Sequence, residues 1–306
     1  MKRVIDPGRK RKSINFLDNI VYSRQKDLDG HEMELKMSIM LQNGNSELKL
    51  AAGIDDEAEQ VKKPAILWVP GGGYRGTDKN LMVAEMMFLA DAGFVLASMY
   101  YRSSAEGHFP DQIVDVKTAI RFLRAHAGEY EIDPDHIGII GRSAGGHLSA
   151  LAALNSDCYE SEEWKEYPST VQACCDMFGP VDMVRLMEVD DYMMKNVPDY
   201  RWKTVEETHA GALLGGDVST MRDRARLASP SHMLTNQMCP MLILHGDADP
   251  LVPCEISDDF YAKIAAAGME DRTDYYILKH GGHGSREFFQ DSVKEIIEKF
   301  FEKYLM

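Results

Sequence analysis

The stretch HIGIIGRSAGGHLSALAAL, residues 136–154, changes character at one residue, Ser143. Ahead of it lies a short apolar run, 137–140, of the kind that forms a strand buried on both faces. Behind it, 146–155 is rich in alanine and leucine and reads as a helix. Between them stand Gly141, Ala144, Gly145 and Gly146, small enough to let the chain reverse sharply. A strand, a cramped turn with a serine at its apex and a helix together lift a hydroxyl above the end of a sheet, with a helix N-terminus behind it to favour negative charge. The G-x-S-x-G spacing alone arises by chance in roughly one chain in ten of this length, so the flanking elements carry more weight than the motif.

Working outward, short continuous apolar runs recur at 65–69, 94–100, 171–178, 241–244 and 275–278, with helical stretches expected near 81–92, 112–127 and 257–267. A last helix at 286–304 would carry Phe289, Val293, Ile296, Ile297 and Phe300 on one stripe. This alternation predicts an α/β fold, a doubly wound, mostly parallel sheet with helices on both faces and its active site at the carboxyl ends of the strands. Alternating residues at 21–23 and 32–41, on either side of Asp27-Leu28-Asp29-Gly30, predict an antiparallel N-terminal hairpin. The polar segment 42–63 reads as an exposed excursion. The segment 183–235 interrupts the pattern with Met183, Met187, Met193, Met194, Met221 and Met233, and is expected to be a small helical cap or insertion within a single domain, 1–306.

Composition narrows the function. With 44% hydrophobic and 27% charged residues, 306 residues suffice for a large core. A net charge of −15 argues against a nucleic-acid partner, and the basic cluster Arg9 to Lys12 reads as a solvated leader. No apolar run approaches the roughly 20 residues that span a bilayer, and Ile14 to Asp18 is too short and polar for a signal-peptide core. Five cysteines, an odd number without zinc-like spacing, fit reduced thiols in the cytoplasm, with Cys174-Cys175 a buried strand pair. No metal-ligand cluster is evident.

A serine needs a base, an orienter for that base and donors for an oxyanion. Trp68-Val-Pro-Gly-Gly-Gly-Tyr74 ends the first parallel run, and the amides of Gly72 and Gly73, with that of Ala144, are candidates for the oxyanion hole. Asp247 and Asp249 follow the run 241–244, with Asp249 the preferred acid and Asp247 a turn residue. His283, between glycines in Lys279-His-Gly-Gly-His-Gly284, is the preferred base over His280, and His147 reads as structural. Tyr74, Arg142, Met187 and Trp202 are candidate substrate-binding residues. The order Ser143, Asp249, His283 is that of α/β-hydrolases.

Through VPGGGYRGTDKN, YYRSS, FPDQIVDVKTAIRFLRAHAGEYEIDPDHIGIIGRSAGGHLSALAAL, HGDADPLVP and GGHG, the chain resembles the esterase/lipase superfamily of α/β-hydrolases from about Ala65 to its C-terminus. It is most similar to the branch of acetyl xylan and feruloyl esterases. The resemblance implies acyl transfer through Ser143 on a small-molecule ester substrate, with no metal or organic cofactor; a homodimer would be unsurprising. It departs from the branch at Pro70, where a histidine usually precedes the glycines, so the anchoring of that loop must come from elsewhere. A prolyl-oligopeptidase-type peptidase and a non-catalytic binding protein of the same fold are the alternatives; the chain lacks a propeller-sized N-terminal region, and its Ser, Asp and His are intact.

Overall fold

The computed structural model describes residues 1–6, 13–42, 62–76, 78–215 and 218–306; the basic cluster 9–12 and most of the excursion 42–63 lie outside them. Among the described residues one sheet runs in the order β1 (Ile14–Lys26), β2 (Glu32–Gln42), β4 (Val95–Met99), β3 (Lys63–Val69), β5 (Ile132–Arg142), β6 (Ala173–Met177), β7 (Met241–Gly246), β8 (Thr273–Leu278). The pairs β1/β2 and β2/β4 are antiparallel and all others parallel. The expected hairpin and mostly parallel sheet are both present. Because β4 returns to one side of β3 and β5 to the other, the winding reverses between β3 and β5. At such a switch point the loops leaving the two strand ends diverge and leave a crevice. Val69 of β3 pairs with Gly141 of β5, so the glycine loop and the serine turn emerge side by side.

Strands β4, β6 and β7 are buried at every residue, as continuous apolar runs require. Their period of two divides the side chains between two cores. Leu67, Val69, Ala97, Ile137, Ile139, Cys174 and Ile243 face helices α2 (Asp111–Ala125), α3 (Ala144–Ala153) and α7 (Glu255–Ala266). Ile66, Trp68, Leu96, Ile140, Cys175, Leu242 and Leu244 face α1 (Val83–Ala92) and α8 (Asp291–Leu305). The last helix buries Val293, Ile297, Phe300, Phe301 and Leu305, a stripe at helical spacing. Burying each such side chain contributes about 1.5–3 kcal/mol. Gly138 explains why a glycine interrupts β5: a Cβ there would stand 2.8 Å from the Phe301 ring, so its absence admits α8 against the sheet.

Several boundaries differ from expectation for identifiable reasons. The run 171–178 is a strand only to Met177, because Phe178 takes φ 45° and turns the chain out of the sheet. The stripe at 286–304 is broken into a 3-10 turn, Arg286–Phe289, and α8. Strand β1 runs far beyond 21–23, its first half exposed. Segment 183–235 is helical between β6 and β7, with α4 (Met183–Asn196), α5 (His209–Leu214) and α6 (Val218–Leu227). Asp182 caps α4 by accepting from the Arg185 N–H, and its carboxylate also takes Ser231 and His232, tying the start of this segment to its end, and Lys263 of α7.

Candidate active site

The serine turn is as tight as its composition suggests. Ser143 has φ 52° and ψ −122°, a conformation that costs a non-glycine residue about 1–3 kcal/mol. Its amide is held by the Met177 carbonyl at 2.9 Å, so neighbouring strand β6 helps hold the strained backbone. A Cβ on Gly145 would stand 2.0 Å from the Val69 carbonyl oxygen, and one on Gly141 2.2 Å from that of Gly145. Only hydrogen at these positions lets the start of α3 descend onto β3 and β5.

The structure brings Ser143, His283 and Asp249 together. Ser143 Oγ donates to His283 Nε2 at 2.8 Å, and His283 Nδ1 donates to Asp249 Oδ2 at 2.7 Å. The carboxylate cannot donate, and this sets the imidazole tautomer. Two backbone bonds carry the loops together: the Asp247 amide reaches the Leu278 carbonyl and the Ala248 amide that of Gly281. Asp249 Oδ1 accepts from the amides of Leu251 and Val252 at 2.8 and 3.0 Å. Its side chain is fully buried. Burial alone would push its pKa up, but His245, His283 and the Val252 amide outweigh that and hold it well below the ordinary carboxylate range. His245 is itself fixed between Ser257 Oγ and the Val252 carbonyl, bracing the turn that carries Asp249. Asp247 instead accepts from the amide of His280, which is exposed. Neither reaches the serine.

Among the described residues, the N–H groups of Gly72 and Gly73 enter no hydrogen bond, and Ala144 begins α3, where an N–H has no carbonyl behind it. The three candidate amides are thus free. Pro70 leaves the glycine loop without a histidine, and its anchors are two tyrosines. Tyr101 OH donates to the Pro70 carbonyl at 2.9 Å, and Tyr74 OH meets His147 Nδ1 at 2.9 Å. Tyr74 is therefore corrected from a candidate substrate contact to a buried strut, 1% exposed. His147 is structural, as expected: it is fully buried, and burial lowers its pKa to about 4.

The other expected contacts divide. Met187 does not join the triad; it lines a separate cavity of about 210 Å³ with Asp190, Met194, Val205 and Thr208. Trp202 approaches the glycine loop through His209, with ring centroids 5.4 Å apart. His209, which sequence reasoning missed, presses on Gly73 so closely that a Cβ there would lie 2.5 Å from its ring. Thr208 starts α5 by accepting from the Gly211 amide and so sets His209 in place. Burial, then the charges of Arg201 and Arg75, lower its pKa to about 4, so the ring is neutral at neutral pH. Phe178, also missed, stands edge-on to the His283 ring at 4.9 Å. Arg142 lies over Phe178 at 5.8 Å, and burial lowers its pKa. Nothing in the sequence marks His209 or Phe178, since each matters through a contact between distant segments.

A hydroxyl hydrogen-bonded to an imidazole, itself oriented by a buried carboxylate and set beside free amides, is an arrangement suited to acyl transfer. Among the described residues no helix is long and apolar enough to cross a membrane.

The chain matches the BD-FAE family over residues 54–264. It is 33% identical over 203 residues to the probable carboxylic ester hydrolase LipM of Mycobacterium tuberculosis, covering 66% of this chain and 44% of that one. Esterase LipQ of the same organism is 30% identical over 215 residues, covering 70% and 48%. The chain spans about half the length of these curated relatives. A truncated form of a carbohydrate esterase from gut microbiota superposes with a TM-score of 0.76 and 27% identity, over 97% of this chain and 98% of that one. An acetyl ester-xyloside bifunctional hydrolase from Caldicellulosiruptor lactoaceticus, 21% identical with a TM-score of 0.65 over 89% and 88%, shares the fold. The chain belongs to the BD-FAE family, and its architecture is the α/β-hydrolase fold of esterases.

Proposed function

We propose that the chain is a serine carboxylesterase acting through an acyl-enzyme on Ser143, with acyl groups carried by carbohydrates, such as acetyl or feruloyl groups on hemicellulose-derived oligosaccharides, as its substrate class. One observation carries the mechanism: the unbroken hydrogen-bond chain from Ser143 through His283 to Asp249, at 2.8 and 2.7 Å. Likeness to a carbohydrate esterase over nearly the whole chain supports the substrate class.

In this reading Ser143 Oγ attacks the ester carbonyl while its proton passes to His283 Nε2. The carbonyl oxygen becomes an oxyanion facing the amides of Gly72, Gly73 and Ala144. The bond to the alcohol oxygen breaks, and the alcohol leaves with the proton from His283. Water, deprotonated by the same imidazole, then attacks the acyl-enzyme, and Ser143 recovers its proton as the acid departs. Asp249, ionised throughout, stabilises the imidazolium without taking its proton. Segment 183–235 supplies one wall of the cleft through Trp202 and His209. A cytoplasmic location belongs to the same reading, supported by five unpaired thiols.

The test is hydrolysis of p-nitrophenyl acetate by the wild type and by Ser143→Ala, with a fluorophosphonate probe to mark the nucleophile. The wild type should turn over the ester and gain one adduct on the peptide containing Ser143, and the variant should do neither. Equal turnover by the two proteins would refute the assignment. Release of acetate from acetylated xylo-oligosaccharides, compared with methyl ferulate, tests the substrate class.

A further inference from the structure

The residue immediately before the nucleophile is an arginine that the chain does not neutralise. Other guanidinium groups in this acidic protein find carboxylates, Arg24 with Glu34, Arg102 with Asp111 and Asp115, Arg121 with Glu160 and Arg222 with Glu188, or carbonyl oxygens, as Arg124 and Arg224 do. Among the described residues, the Arg142 side chain has no carboxylate within 4.0 Å and makes no hydrogen bond, and its Nε is buried without a partner. The outer nitrogens, Nη1 and Nη2, are also unbonded but are not sealed off, so the fork opens to solvent while its base is buried. Arg75 and Arg201 flank the Trp202 ring at 5.4 and 5.2 Å; Arg75 donates to the carbonyls of Glu207 and Thr208, and Arg201 is near enough to Asp190 that, while burial raises that carboxyl's pKa, its charge pulls the other way. In a chain of net charge −15, an arginine side chain left without a partner thus stands next to the nucleophile in sequence.

A partly desolvated cation without a counter-charge is unfavourable unless something supplies the charge. Position indicates what that is. Nη2 lies 2.9 Å from the point where a Cβ on Gly284 would stand, directly after His283, and the guanidinium covers the Phe178 ring that touches the His283 imidazole. In the proposed mechanism His283 is the group that hands its proton to the departing alcohol, and the fork lies beside it. A planar fork with two open N–H edges matches a carboxylate at two points.

We propose that Arg142 is a specificity-determining residue that binds a carboxylate on the alcohol portion of the ester, so that the enzyme acts on acyl esters of hydroxy acids, acidic sugars included. This deepens the esterase reading and rests on it. The arginine fork orients the alcohol so that its oxygen leaves toward His283 Nε2, and Arg75 and Arg201 add a locally attractive field for anions on an otherwise repulsive surface.

The test compares 3- and 4-acetoxybenzoate with their methyl esters, which differ in the charge on the alcohol. The readout is the ratio of kcat/KM for the anionic ester to that for its neutral partner, in the wild type, Arg142→Gln and Arg142→Lys. Losing a charge-assisted contact should lower the ratio by roughly tenfold or more in Arg142→Gln, chiefly through KM of the anionic ester, with partial recovery in Arg142→Lys. In the wild type, raising NaCl from about 0.02 M to about 0.5 M should lower turnover of the anionic esters much more than that of the methyl esters. A ratio unchanged in Arg142→Gln overturns the proposal. If that variant does not fold, equal salt responses of the two wild-type reactions overturn it. Failure of the wild type on both esters and on p-nitrophenyl acetate would bring down the esterase reading itself, whereas normal turnover with an unchanged ratio brings down only the role of Arg142.

Discussion

Asp176→Asn probes a buried group that the proposed mechanism does not use. Asp176 lies near the end of β6 with no exposed surface; Oδ1 accepts from the Gly179 amide at 2.9 Å, and Oδ2 has no partner. Burial pushes its pKa up to about 7, against smaller opposing pulls from His245 and the Gly179 amide. Tyr74, Cys174 and Cys175 interact with it, but burial raises the pKa of each, so they stay neutral across the range of interest. Between the unfolded value near 3.8 and the folded value of about 7, the native protein holds a proton that the unfolded chain has released. Stability therefore falls as pH rises through that window and levels off above it. Between about pH 5 and the folded pKa lie roughly two units at about 1.4 kcal/mol each, an expected loss of about 3 kcal/mol. Asparagine mimics the protonated acid and cannot ionise, so the variant lacks this loss. Its amide leaves an unpaired N–H, but that penalty is the same at both pH values. The assay is urea unfolding of both proteins at about pH 5 and about pH 8, where the free-energy difference should move by about 3 kcal/mol in favour of the variant at the higher pH. Contributions of other ionisable groups cancel in that difference. A difference constant to within about 0.5 kcal/mol would refute the reasoning, because the carboxyl would then have the same protonation state throughout.

Three further substitutions test how the site is built. Asp249→Asn should lower kcat on p-nitrophenyl acetate by roughly 10³- to 10⁴-fold, since an amide cannot orient the imidazole as a carboxylate does, while Asp247→Asn stays within about tenfold; the reverse ranking would move the acid by two residues. Gly145→Ala puts a methyl 2.0 Å from the Val69 carbonyl oxygen. It should destabilise the fold by about 1–3 kcal/mol or more and slow fluorophosphonate labelling, and an unchanged Tm would contradict the tight approach. Tyr101→Phe removes the hydrogen bond to the Pro70 carbonyl, with an expected loss of about 1 kcal/mol in stability and a lower kcat at nearly constant KM. A rise in KM alone would mean that the loop acts on ground-state binding.

The elements that could be read in advance are those whose burial is imposed by their own period. Strands 65–69 and 241–244 are continuous apolar runs, each paired with a strand on both sides, and the stripe from Val293 to Phe300 faces the core. Strand β1 was harder, because its first half lies at the sheet edge with most residues exposed and gains nothing from apolar alternation. Within the site, Gly141, Ser143 and Gly145 were legible because a strained turn restricts the residue types that fit. Tyr74 was not, because whether a tyrosine beside a glycine loop faces substrate or the interior depends on His147, 73 residues away.

The sequence by itself determined the β/α alternation, the serine turn between β5 and α3, and the order in which Ser143, Asp249 and His283 follow their strands. Each follows from local volume, period and backbone conformation. Only the tertiary structure decided that Asp249 rather than Asp247 meets His283, that Tyr101 and Tyr74 hold the loop begun by Pro70, that His209 presses on Gly73, and that Arg142 stands without a counter-charge. Those outcomes depend on which carbonyls, rings and carboxylates reach one another once the loops at the strand ends converge. Spacing along the chain carries no record of those distances.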